Sequence, residues 1–246
     1  MRIAILLAGC LSSCVLAQPG LTRPALGQML DRQQSLRPVY GIGGNFHVDP
    51  PIAERVIASA CSRTLCLAKI DSALISAGVV TPAPPGDAVI ALDISGATVY
   101  FPSTQQFARW QNGALTPLSL SVYGTVLALG SGSSGLTIAV ERSGIVWIIA
   151  AADGTILDSL PPGANAVLLS ADGIVYATPA GLILRKSGDG NNELSFPASG
   201  VTALTALGDG YVEARAGDIL YTLRTIPGRE HLFQLPQPRP DREPDR

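Results

Sequence analysis

The sequence predicts an all-β fold, and three observations carry that expectation. A period of roughly 33 to 40 residues runs through the chain, and each unit reads as four short strands. Two units show the pattern plainly. One is Ala88-Val-Ile-Ala-Leu92, a turn at Ser95-Gly96, then Thr98-Val-Tyr-Phe101; the other is Ala166-Val-Leu-Leu-Ser170, a turn at Asp172-Gly173, then Ile174-Val-Tyr-Ala177. The third observation is composition. The 246 residues are 47% hydrophobic and 15% charged, with 26 Gly and 19 Pro, which suits short buried strands joined by tight turns rather than a helical bundle. Together these predict a β-propeller of about five to six four-stranded blades.

The N-terminus reads as an address. Met1-Arg2 is a short basic start and Ile3 to Leu16 is apolar or small. Val15-Leu16-Ala17 puts small residues where a signal peptidase reads, so residues 1–17 are expected to be a signal peptide and 18–27 a linker. A second reading stands beside it. Leu7-Ala-Gly-Cys10 and Leu11-Ser-Ser-Cys14 resemble bacterial lipoprotein boxes, in which the Cys is acylated after cleavage. Cys10 leaves little room for an apolar segment, which makes Cys14 the candidate lipidation site. Either way the mature chain lies outside the cytoplasm, secreted, periplasmic or membrane-anchored. No transmembrane span is expected in it, because its longest apolar run, Ile145 to Ala152, is far short of the roughly 20 residues a helix needs to cross.

Ahead of the first complete unit, Gln28 to Arg32 and Leu36 to Tyr40 read as a c–d hairpin, with an amphipathic helix over Ala25 to Gln34 as the rival. The hairpin predicts a latch: strands from both termini sharing one blade, which removes exposed edges. Gly41 to Glu54 then reads as the longest connection between units.

Five units follow, each with strands a to d. The first is Val56–Ala60, Thr64–Ala68, Ala73–Ser76 and Val79–Thr81; the second Ala88–Leu92, Thr98–Phe101, Gln106–Trp110 and Leu115–Val122. The third is Val126–Leu129, Leu136–Val140, Ile145–Ala150 and Thr155–Leu157; the fourth Ala166–Ser170, Ile174–Ala177, Leu182–Arg185 and Glu193–Phe196. The fifth is Thr202–Ala206, Tyr211–Ala214, Ile219–Thr222 and His231–Gln234. Strand a is rich in Ala, Val, Leu and Ser, as an innermost strand crowded around a central channel requires. The propeller is expected over residues 28–235. Residues 236–246, Pro-rich and charged, are expected to be a disordered tail.

The turn dipeptides Asn112-Gly113, Asp153-Gly154, Asp172-Gly173, Asp189-Gly190 and Asp209-Gly210 are hairpin signals, since these residues tolerate positive φ. With one Asp per turn they do not form a calcium loop, which needs several oxygen ligands from one segment. Once a signal is removed, Cys61 and Cys66 remain. If their loop is Ser62 to Leu65 the thiols face each other and a disulfide is possible; if the turn is Ser62-Arg63, Cys66 lies opposite Ser59.

The net charge is −2 with no basic stripe, which argues against nucleic acid. His47 and His231 are the two histidines and lack spaced metal partners, and there is no Gly-x-Ser-x-Gly elbow. Gly130-Ser-Gly-Ser-Ser-Gly135 lacks the Lys of a phosphate loop and reads as an a–b turn. No catalytic residue, metal site or cofactor is assigned. In a propeller the d–a and b–c connections share one face. That face carries Phe46, His47, Asp49, Gln105, Gln106, Glu141, Arg142 and Asp218, the candidate binding residues.

By repeat length and strand pattern, Gln28 to Leu235 resembles the broad class of bacterial secreted β-propellers. The Trp-Asp and Gly-His signatures of WD40 repeats and the double-Gly of kelch repeats are absent, so the resemblance is architectural. The sequence favours a non-catalytic propeller that engages a protein or a small ligand. Alternatives are a lactonase-like or glycan-acting hydrolase, which needs acidic or His groups at the channel mouth, and a lipid-anchored envelope scaffold.

Overall fold

The computed structural model describes residues 24–42, 45–62, 64–132, 135–170, 173–187, 192–208 and 210–235. The signal segment 1–17, the Cys14 site, the tail 236–246 and the turns at Asp172 and Asp189-Gly190 lie outside the described residues.

Six antiparallel sheets make the propeller. Blade I is three-stranded: β1 (Ala25–Leu30), β2 (Leu36–Ile42) and β3 (Asn45–Val48). Blade II is β4 (Ala58–Cys61), β5 (Cys66–Ile70), β6 (Ala73–Ser76) and β7 (Val79–Pro82). Blade III is β8 (Val89–Asp93), β9 (Gly96–Phe101), β10 (Gln106–Gln111) and β11 (Ala114–Leu118). Blade IV is β12 (Thr125–Gly132), β13 (Gly135–Arg142), β14 (Ile145–Ala150) and β15 (Ile156–Ser159). Blade V is β16 (Ala166–Ser170), β17 (Gly173–Thr178), β18 (Gly181–Lys186) and β19 (Glu193–Phe196). Blade VI is β20 (Ala203–Gly208), β21 (Tyr211–Ala216), β22 (Ile219–Arg224) and β23 (His231–Gln234). No helix among the described residues is long and apolar enough to cross a membrane.

Low charge follows from the architecture. A blade in a ring buries both of its faces, so its middle strands read as continuous apolar runs. Each interface has its own core. Leu67 and Leu74 meet Val99 and Trp110 between blades II and III; Tyr100 and Phe107 meet Leu129 and Ile138 between III and IV. Ala139 and Ile148 meet Tyr176 between IV and V; Leu182 and Leu184 meet Val212 and Leu223 between V and VI. Blade I closes the ring, with Met29 and Val39 on Leu207 and Leu220 of blade VI, and Leu36 on Val56 and Ala68 of blade II.

The five units stand as four-stranded blades, and strand a is innermost in each. Four expectations are corrected. The stretch Gly41 to Glu54 is not one long connector, because β3 forms within it by pairing Tyr40 with His47 and Gly41 with Phe46. The first strand starts at Ala25, inside the stretch read as linker. The latch does not mix strands: blade VI pairs only its own four strands, and blade I stands as a separate sheet. Where an a–b turn was expected from Gly130 to Gly135, β12 and β13 pair out to Gly132 and Gly135.

Blade I contributes strands b, c and d without an inner strand. Its β1–β2 turn lies beside the β21–β22 turn of blade VI, where Arg32 pairs with Asp218 at 3.2 Å. Thus β1 runs in the direction of a b strand. The inner strands β20 and β4 instead approach one another directly. The innermost ring therefore has five strands while the outer ring has six sheets.

Candidate functional site

A cavity of about 590 Å³ lies between the inner strands β4, β8, β12, β16 and β20. Its walls are largely Ala, Val, Leu and Ile, because these strands converge and only small or aliphatic side chains fit. Two charged side chains line it, Glu213 and Arg215, and both come from β21 of blade VI.

Register explains their presence. Arg215 lies opposite Ala203, the first residue of β20, and Glu213 opposite Thr205. By the same count from the first inner-strand residue, the positions equivalent to Glu213 are Leu67 in blade II, Thr98 in blade III and Val175 in blade V. Leu67 and Val175 each pack into the core shared with the next blade. For blade VI the next blade is I, which has no inner strand. The side chains at that position therefore face the inner end of a wedge, and here they are polar.

Glu213 is 3% exposed. Its Oε1 lies 3.4 Å from Arg215 Nη2, and that same nitrogen donates to the Leu30 carbonyl. Burial pushes the Glu213 carboxyl up to about 7, opposed by Arg215 and the Leu30 backbone and reinforced by the charge of Asp31. Asp31 is itself well held: Arg37 Nε donates to it at 2.6 Å, and the Gln33 and Ser35 amides donate at 2.8 Å.

Four buried side-chain atoms lack a hydrogen-bond partner among the described residues: Ser59 Oγ, Glu213 Oε2, Arg215 Nε and Thr222 Oγ1. Buried polar atoms are normally paired, and these four are not scattered. Thr222 is the cross-strand partner of Glu213. Ser59 pairs with Ala68, which packs toward blade I from the other side of the wedge. All four thus flank the seam where blade I lacks its inner strand.

The Cys61 and Cys66 positions are directly opposed at the ends of β4 and β5, which makes the loop Ser62 to Leu65. Their Sγ atoms are 2.07 Å apart, and the Gln28 side chain lies against them.

The eight residues picked out for the connection-bearing face are placed as follows. His47 Nε2 contacts Asp49 Oδ1 at 2.9 Å. Phe46 turns its ring edge onto Phe233 of blade VI, 5.5 Å between centroids, and so serves the seam core. Gln105 and Gln106 are exposed at the β9–β10 turn, Gln105 with φ 53°. Glu141 accepts from the Gly144 amide at 2.7 Å, and Arg142 donates to the Tyr123 carbonyl at 2.6 Å and lies over the Tyr123 ring. Asp218 holds Arg32. Apart from the His47–Asp49 contact, these contacts tie each loop to its own turn or to a residue outside the set.

A second concavity, about 520 Å³, is lined by Trp147, Pro161, Pro162, Arg185 and Glu193. Its charges are engaged with one another, Arg185 bridging Asp158 at 2.8 Å and Glu193 at 2.7 Å. Among the described residues no group of three or more His, Cys, Asp or Glu side chains is arranged to hold a metal ion.

Sequence reasoning missed Glu213 and Arg215. The available signal was Glu-Ala-Arg inside a b strand, a charged alternation where the other units carry mostly aliphatic residues. Its meaning depended on which blade comes next.

No protein-family model and no curated protein matches the chain. Solved structures align with it, and one shares its fold at a TM-score of 0.50. PorZ of Porphyromonas gingivalis, described as an essential bacterial surface component of the type-IX secretion system, aligns with a TM-score of 0.50 at 15% identity over 85% of this chain and 32% of that one. The chain thus spans about a third of PorZ. Two structures of AztD from Citrobacter koseri align at TM-scores of 0.48 and 0.47 and 12% identity, over 86% of this chain and 70% and 69% of theirs.

Proposed function

We propose that this chain is an exported, non-catalytic β-propeller that binds a ligand in its central cavity. One observation carries the reading: a cavity of about 590 Å³ with largely aliphatic walls and the Glu213 and Arg215 side chains at one side. That volume lies in the range of roughly 300 to 1,000 Å³ typical of small-molecule sites, which are mostly apolar with a few placed polar groups. Export rests on the basic start, the apolar stretch and the small residues at Val15 and Ala17. An oxidising compartment also suits a bridge between the opposed Cys61 and Cys66.

Two measurements test this. Intact mass of the protein exported by its native host should begin at Gln18 and be light by the two hydrogens of a disulfide. A diacylated mass beginning at Cys14 would make it a tethered lipoprotein and replace the soluble reading. A thermal-shift screen of small amphipathic molecules should yield ligands whose NMR contacts fall on the inner strands. Contacts confined to the outer connections would move the site to the face of Gln105 and Glu141.

A further inference from the structure

The seam side of the cavity has a specific chemistry. Of the three unpartnered buried oxygens, those of Ser59 and Glu213 belong to residues that line the cavity, and that of Thr222 lies behind them on β22, opposite Glu213. The fourth unpartnered atom, Arg215 Nε, belongs to a guanidinium already turned to the Leu30 carbonyl. The ionised Glu213 oxygen only accepts and the Ser59 hydroxyl accepts as well as donates, so a donor-rich group fits the pair. The charge balance points the same way. Asp31 is matched by Arg37 and Asp218 by Arg32, at 2.6 Å and 3.2 Å. Glu213 meets Arg215 only at 3.4 Å, and its Oε2 has no hydrogen-bond partner among the described residues. Away from this side the cavity wall is mostly aliphatic, with the hydroxyls of Ser131 and Ser170 among the Ala, Val, Leu and Ile side chains.

We propose that the central cavity binds a primary alkylammonium, its N–H donors directed to the Glu213 carboxylate and the Ser59 hydroxyl, its hydrocarbon lying on the inner strands. The proposal rests on the cavity reading above and names its ligand class. Glu213 Oε2 is sealed from solvent as it stands. Glu213 lines the cavity, and its last torsion, soft for an sp³–sp² bond, lets the carboxylate reorient when a ligand binds. An ammonium salt link in a water-poor site is stronger than a neutral hydrogen bond. The raised proton affinity of Glu213 agrees: the isolated carboxyl holds a proton that a cation would displace. The charged groups around it are Arg215 on its own strand, Asp31 and Arg37 on the blade I side, and the Arg32–Asp218 pair at the adjoining turns. None of the latter four hydrogen-bonds Oε2.

The test is isothermal titration of the full mature chain with n-hexylammonium chloride and with 1-hexanol. It uses the wild type, Glu213→Gln and Ser59→Ala, each checked for fold by circular dichroism. The expected result is hexylammonium binding at least tenfold tighter than hexanol. Glu213→Gln should weaken hexylammonium at least tenfold and leave hexanol unchanged, and Ser59→Ala should weaken it about threefold. Titration at pH 6 in two buffers of different ionisation enthalpy should show proton release on binding to the wild type, absent in Glu213→Gln. Should Glu213→Gln not fold, the Ser59→Ala loss and the wild-type proton release decide. Equal binding of the amine and the alcohol, or amine binding indifferent to both substitutions, overturns the ammonium assignment while the cavity reading stands. Binding of neither probe, together with an empty thermal-shift screen, overturns both.

Discussion

Gly27 of β1 and Gly208 of β20 are the points at which the first and last blades touch backbone to backbone. A Cβ on Gly27 would lie 1.2 Å from the Leu207 carbonyl oxygen, and one on Gly208 would lie 2.3 Å from the Leu26 carbonyl oxygen. The ring is thus closed by two bare backbones pressed together beside the Met29 and Leu207 core, with no shared hydrogen-bonded strand. Gly27 also has φ 144°, which side chains avoid. Gly27→Ala is expected to destabilise the protein by about 3 kcal/mol. Gly132→Ala, where a Cβ meets nothing within 4 Å, should stay within about 0.5 kcal/mol. Urea unfolding of the two variants checks this; equal stability of both would mean that the seam is not closed this way.

Blades II and III are joined by a polar relay as well as by packing. Trp110 Nε1 donates to Thr81 Oγ1 at 3.1 Å, and that hydroxyl donates to the Gly113 carbonyl at 2.9 Å. Trp110 and Thr81 are 6% and 4% exposed, so Thr81→Val strands a buried indole N–H. The expected cost is about 2 kcal/mol, with Thr81→Ser costing about half as much because the hydroxyl is kept. Chemical denaturation followed by tryptophan fluorescence reads both.

The acid limb of stability should depend on Asp93. Arg109 grips its carboxylate with two hydrogen bonds of 2.6 Å, and the Ser95 amide and hydroxyl add two more. These hold the carboxyl well below the usual carboxylate range, the Arg109 hydrogen bonds first among the causes. A carboxyl depressed in the fold stabilises it above the unfolded value and loses that contribution as pH falls below about 4. Asp93→Asn should cost about 2 kcal/mol at neutral pH and flatten the decline between about pH 4 and 2. An unchanged acid limb in the variant would contradict this.

Glu213 acts with the opposite sign at higher pH. Its folded value near 7 stands above the ordinary 4.5, so the fold binds the extra proton. Its favourable contribution is complete below about pH 4.5, declines as pH rises to about 7, and is level beyond. The span corresponds to about 3 kcal/mol. Stability of Glu213→Gln measured by urea unfolding at pH 5 and pH 8 should lack this decline. A wild-type slope retained in the variant would assign it to another group.

Much of this molecule was legible in its amino acids. Twenty strands of blades II to VI were read from alternating Val, Ile, Leu and Ala runs and from turn pairs such as Asn112-Gly113, whose φ values of 49° and 80° are those a two-residue hairpin requires. These are local properties, set by side-chain period and backbone sterics within a few residues. The placement of strand a innermost was equally local, since small side chains are what convergence permits. What the sequence could not determine was the closure. Whether β1 joins blade VI or stands beside it depends on contacts between residues about 180 positions apart, and Gly27 and Gly208 carry no mark of each other in the chain. The same distance hid the candidate site. Glu213 and Arg215 look like two surface charges in a strand until the ring brings blade I, without an inner strand, against them. Burial then leaves the Glu213 Oε2 without a hydrogen-bond partner among the described residues, and burial belongs to the tertiary structure alone.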